Sequence, residues 1–149
     1  MGRTESVELT TLCLIRQGDQ ILLQNRIKND WRGYALPGGH VEPDESIVDA
    51  VIREMKEETG LTVLDPRLCG VKQFPIDGGR YVVFLFVCDR FEGELRSSSE
   101  GEMEWVFRDR LGEYPCVDDL EDLIRVMERD DLSEFLYRKE ENRWIPVLK

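Results

Sequence analysis

Apolar residues recur along this chain at two spacings, and the change from one to the other marks its elements. Residues 7–16 are rich in leucine and β-branched side chains and stop at Gln17-Gly18-Asp19, which predicts a strand and a turn. Residues 21–26 then read as the returning strand of a hairpin, and 28–34 as a polar loop carrying Trp31 and Gly33. Past Leu36-Pro37-Gly38-Gly39 the period lengthens. Ile47, Val48, Val51, Ile52 and Met55 are spaced by threes and fours, the buried stripe of an α-helix. Pro43, Asp44 and Ser46 supply its entry signals, and Gly60 ends it where a left-handed cap is cheapest.

Beyond the helix the short period returns. Residues 61–74 are extended, with Pro66 marking a break or an edge position, Ile76-Asp77-Gly78-Gly79 is a turn, and 81–88 is a strand apolar enough to be covered on both faces. A short strand over 91–95, a loop over 97–101 and a strand over 103–107 follow. Leu120, Leu123, Ile124 and Met127 predict a second amphipathic helix over 118–129. In the mixed tail 130–149, Phe135, Leu136, Tyr137 and Trp144 are expected to pack onto the rest. Strands on both sides of a helix, with another helix near the end, imply an α+β domain with a mixed sheet between helices, one domain over 1–149.

Composition narrows the function. With 41% apolar and 34% charged residues the chain has the balance of a soluble globular protein. It contains no membrane-length apolar run, and MGRTESVELT lacks the apolar centre of a signal peptide, so a cytoplasmic location is expected. Cys13, Cys69, Cys88 and Cys116 are scattered without a C-x-x-C pair, which favours reduced thiols. His40 is the only histidine and excludes a multi-histidine metal centre; it reads as a loop residue without a catalytic role. A net charge of −11 argues against sequence-independent binding of nucleic-acid polymers.

At about 100° per residue, Glu54, Glu57 and Glu58 fall together beside the apolar stripe. Like charges at these spacings repel by a few tenths of a kcal/mol per pair. A divalent cation turns that repulsion into coordination, whereas the alternative is a solvated acidic face. Arg53 is placed to pair with Glu57 and to reach back to Glu45, and Ala50 leaves room beside the acids.

Gly39, Glu45, Arg53-Glu54-Met55, Glu57-Glu58 and Gly60-Leu61 stand at the spacing of the Nudix hydrolase signature, GHVEPDESIVDAVIREMKEETGL. The chain resembles that family at every defined position of the box, and also in Leu36-Pro37-Gly38 and the run from Glu100 to Trp105, where it looks most like the MutT branch. The resemblance implies an α/β/α sandwich. It implies Mg²⁺, with Mn²⁺ as a substitute, on Glu54, Glu57, Glu58 and the Gly39 carbonyl, with Arg53 orienting carboxylates and Glu45 bracing Arg53. A further carboxylate that completes the metal site or serves as base is expected at Glu102, with Glu100 and Glu104 as alternatives.

The implied reaction is attack of water on an internal phosphorus of a nucleoside triphosphate, giving monophosphate and pyrophosphate. Oxidised purine nucleotides such as 8-oxo-dGTP are the favoured substrate. Another nucleoside diphosphate derivative (a nucleotide sugar or ADP-ribose) and a non-catalytic nucleotide-binding module are the alternatives. Arg26, Lys28 and Arg80 are the candidates for phosphate contacts, Arg26 being best placed. Asp118 and Asp119 resemble an acidic pair that meets a purine edge, although Asp also caps helices well. Tyr34, Phe74 and Trp105 are candidates for stacking on the base or for the core. Small nucleotides, with no polymer and no membrane, are the expected partners, for a monomer or homodimer.

Overall fold

The computed structural model describes residues 2–28 and 31–149; Asn29 and Asp30 of the expected 28–34 loop lie outside them. Strand β1 (Ser6–Gln17) turns at Gly18 into β2 (Gln20–Arg26), followed by β3 (Gly33–Ala35), β4 (Gly38–His40) and helix α1 (Ile47–Thr59). Then come β5 (Thr62–Leu64), β6 (Arg67–Ile76), β7 (Gly79–Cys88), β8 (Arg90–Glu92) and β9 (Gly101–Phe107). A 3₁₀ turn (Arg108–Glu113), helix α2 (Leu120–Glu128), β10 (Glu134–Glu140) and β11 (Arg143–Leu148) complete the chain.

Nine of the strands form one mixed sheet in the order β11-β10-β6-β7-β1-β2-β3, with β4 paired to β1 and β9 to β2. β1 runs parallel to the apolar β7, and β10 parallel to β6. Alternation along the strands sends side chains to two cores. Cys13, Ile15, Leu22 and Phe86 meet Val51 and Met55 of α1, while Leu14, Leu23, Leu85 and Phe135 meet Ile124 and Val126 of α2. Each fully buried aliphatic side chain contributes about 1.5–3 kcal/mol. Sheet and helices together give the expected α+β class. No helix among the described residues is long and apolar enough to cross a membrane, and all four cysteines are free.

Several expectations change. The β1–β2 hairpin pairs only at Arg16↔Ile21 and Gln17↔Gln20, because β1 then follows β7 and β2 follows β9. Residues 38–40 form a strand on β1, so His40 lies in a strand; its exposed ring bonds the Glu8 carboxylate at 3.0 Å. Helix α1 starts only after Ser46, whose hydroxyl accepts from the Asp49 amide at 3.2 Å, and it ends at Gly60 with φ of 81°. Val48, expected in the buried stripe, is exposed. The short strand after β7 covers residues 90–92 rather than 91–95. The tail is a hairpin at the sheet edge. It buries Phe135 and leaves Trp144 exposed.

Candidate active site

Arg53 organises the box. Its Nε and Nη2 donate to the two Glu45 oxygens at 2.8 and 2.9 Å, and Nη2 also to the His40 carbonyl at 3.0 Å. Nη1 donates to Glu54 at 3.0 Å and Glu57 at 3.2 Å. One planar fork therefore ties β4, the 41–46 loop and α1 together, using the pre-organised geometry that guanidinium offers to carboxylates. Arg53 and the Glu42 amide hold the Glu45 carboxyl down at about 2. Glu54 shifts the opposite way: burial raises its pKa, with Glu57 and Glu58 adding to the rise against Arg53.

Glu58 is positioned by a residue that pattern reading did not single out. Gln24, buried in β2, donates to Glu58 Oε2 at 2.9 Å, and Ser98 Oγ lies 3.4 Å from the same oxygen. The available signal was a polar residue on the α1-facing side of an apolar strand, between Leu22 and Arg26. Gly39 is there for space. A Cβ at this position would fall 2.3 Å from the Glu54 carboxyl carbon. Its carbonyl accepts weakly from Thr11 Oγ1 at 3.4 Å.

Gly39, Glu54 and Glu58 line one end of a cavity of about 690 Å³, with Arg26 and Glu100, and Lys72, Phe74 and Tyr81 line the other end. A second cavity of about 910 Å³ shares Trp31, Lys72 and Phe74 with the first and adds Asp118, Asp119, Tyr137 and Trp144. The two form one trough with a carboxylate end and an aromatic end.

Some candidates stand elsewhere. Glu57 lines neither cavity and stays largely exposed beside Arg53. Met103 and Trp105 face the α1 core, so alternation sends Glu102 and Glu104 to the other side of β9. There Glu104 accepts from the Tyr34 hydroxyl at 2.9 Å, and Glu102 is exposed. Glu100, just before the strand, is the member of this group that enters the cavity wall, where Lys28 holds it at 3.0 Å and Arg26 approaches to 3.8 Å. Arg26 also lies 4.4 Å from the Trp31 ring. Arg80 pairs with Glu5 outside the trough.

Asp119 occupies the N-cap position of α2 with φ of 63°, yet its side chain makes no capping bond. It accepts instead from the Tyr137 hydroxyl at 2.5 Å, and burial followed by this bond pushes the Tyr137 pKa well up. Among the stacking candidates only Phe74, itself stacked on Tyr81 at 4.9 Å, lines the trough. Trp105 stacks on Phe91, and Tyr34 packs edge-on against Tyr114.

Among the described residues no three acidic, histidine or cysteine side chains converge into a closed metal cage. Mg²⁺ does not require one, since it keeps waters and takes one or two carboxylates together with substrate phosphates. Two glutamates held in place beside a glycine carbonyl, one of them buried and shifted toward protonation, fit a hard divalent cation.

The NUDIX domain model matches residues 8–145. An uncharacterized Nudix hydrolase of Bacillus subtilis, YvcI, is 36% identical over 105 residues, 66% of this chain and 65% of that protein. The ADP-ribose pyrophosphatase of Methanocaldococcus jannaschii is 38% identical over 92 residues, 60% of this chain and 54% of that one. The match thus spans less than two thirds of either relative. Among solved structures, the mutator MutT protein from Bacillus halodurans superposes with a TM-score of 0.78 at 32% identity, covering 95% of this chain and 97% of that one.

Proposed function

This chain belongs to the Nudix hydrolase family, and from that premise we propose that it hydrolyses a nucleoside triphosphate to the monophosphate and pyrophosphate, with oxidised guanine nucleotides the favoured substrate. The observation that carries the reading is the trough, which joins a carboxylate end to an aromatic end with hydrogen-bonding groups. Such a shape suits a molecule with phosphates on one side and a base on the other.

Glu54, Glu58 and the Gly39 carbonyl would hold the divalent cation, Mg²⁺ or Mn²⁺, which neutralises phosphate charge and acidifies water when bound. Arg53 and Gln24 fix the two carboxylates so that little reorganisation is needed at the moment of reaction. Arg26 donates to a phosphate oxygen. Glu100 accepts the proton of the attacking water. At the far end Phe74 supports the base, and Asp118 and Asp119 accept from its N–H groups. The net charge of −11 supports a free nucleotide over a polymer.

A nucleoside diphosphate derivative such as ADP-ribose is the second reading, supported by the ADP-ribose pyrophosphatase relative. Both readings are separated by incubating the protein with Mg²⁺ and a nucleotide panel that includes 8-oxo-dGTP and ADP-ribose, scoring pyrophosphate against orthophosphate from the triphosphates and AMP with ribose 5-phosphate from ADP-ribose. Pyrophosphate release is expected to be fastest from the oxidised triphosphate and to cease on chelation. Glu58→Gln should lose at least about 10²-fold in rate while melting normally. Absence of turnover on every nucleotide would falsify the enzymatic reading.

A further inference from the structure

A half-buried lysine stands where the two halves of the trough meet. Lys72 on β6 lies opposite Val83 of β7 and beside Phe135 of β10, so it projects from the α2 face of the sheet. Its Nζ is 5.7 Å from the centroid of the Phe74 ring and 5.4 Å from those of Phe135 and Tyr137. Among the described residues no side chain or carbonyl accepts a hydrogen bond from it, although it lines both cavities. Burial pulls its pKa down, against the opposing charge of Asp119. An ammonium has three donors and no acceptor, and leaving them desolvated and unpaired is unfavourable. Three rings hold this one in place, and its open side faces the trough.

We propose that Lys72 is a specificity-determining residue that donates to a ring carbonyl of the base, while Asp118 and Asp119 take the N–H groups beside that carbonyl. This rests on the reading of the trough as a nucleotide site. A phosphate is the poorer partner, because Asp118 and Asp119 share this end of the trough and repel a dianion. A neutral edge with one acceptor followed by donors meets no such repulsion. Guanine offers that order, with its carbonyl oxygen, ring N–H and exocyclic amino group. Adenine offers a single amino donor beside a ring-nitrogen acceptor. One ammonium and two carboxylates complement the first edge, and a site so built leaves its own polar groups unpaired with the second.

The test needs neither metal nor turnover. GMP and AMP are titrated against the wild-type chain and against Lys72→Met, which keeps an unbranched stem under the same rings. Lys72→Leu serves as a second variant without a donor, and thermal melts check folding. Wild type is expected to bind GMP at least about tenfold more tightly than AMP, and both variants should reduce that ratio to about threefold or less. An unchanged ratio in the variants, however far both affinities fall, overturns the role of Lys72, as does a wild-type preference for AMP. Binding of neither nucleotide by wild type overturns the nucleotide site itself, and this proposal with it.

Discussion

Glu45 and Glu54 are the same residue type on the same guanidinium, yet their acidities move apart. Glu45 receives two bonds from Arg53 and one from a backbone amide, and the charged form wins. Glu54 receives one bond, lies deeper and faces two more glutamates, and burial wins. The first is suited to bracing and the second to receiving a cation. The same attention to partners separates Glu100 from Glu102. Glu100 faces the trough between Lys28 and Arg26, whereas Glu102 lies on the opposite side of its strand from the α1 core. Glu100→Gln should therefore lower kcat by about 10²-fold or more, the range of a lost general base. Glu102→Gln and Glu104→Gln should do much less. Steady-state kinetics on the three variants check this, and a larger kcat effect at Glu102 would reverse the assignment.

At the scale of elements, α1 delivers its glutamates only if it starts and stops in register. Ser46 fixes the start, and Gly60 fixes the stop in the left-handed region. An alanine at 60 would incur about 1–2 kcal/mol of backbone strain. Its Cβ would also fall 2.6 Å from the Glu94 carbonyl oxygen and 2.7 Å from Arg96 Cγ. Gly18 has φ of 61° but nothing within 4 Å of an added Cβ. Thermal unfolding should therefore show a larger drop in Tm for Gly60→Ala than for Gly18→Ala, and equal drops would mean that the Glu94 contact relaxes freely. Signals of this kind are local, which is why α1, α2 and most strands were legible in the sequence. Partnership is not local. Nothing near β1 announces that it leaves β2 after two pairs to run parallel to β7, and the unbroken polar run 138–143 carries no strand period to announce a hairpin at the sheet edge. The carboxylate end was readable because one helix carries most of it. The aromatic end was only partly so, because Lys72, Phe74, Asp119 and Tyr137 converge from three elements.

For the molecule as a whole, an acidic chain is proposed to take a polyanion. The formal charge of −11 creates a repulsive far field for any nucleotide, while Arg26 and Lys72, the cations proposed to meet one, line the trough. These two effects have different ranges. Added salt shortens the Debye length to about 10 Å at 0.1 M, which weakens the far field more than contacts at hydrogen-bond distance. An electrostatically steered enzyme loses association rate steeply as salt rises. Here the opposite sign is expected. At fixed free Mg²⁺, raising monovalent salt from roughly 50 to 200 mM should leave kcat/KM level or raise it by up to about threefold, because the screened interaction is mainly repulsive. Initial rates at low substrate over that series measure it directly. A fall of about tenfold would mean that the cations of the trough govern the approach as well as the contact, and that the net charge of the chain is not what an incoming nucleotide meets.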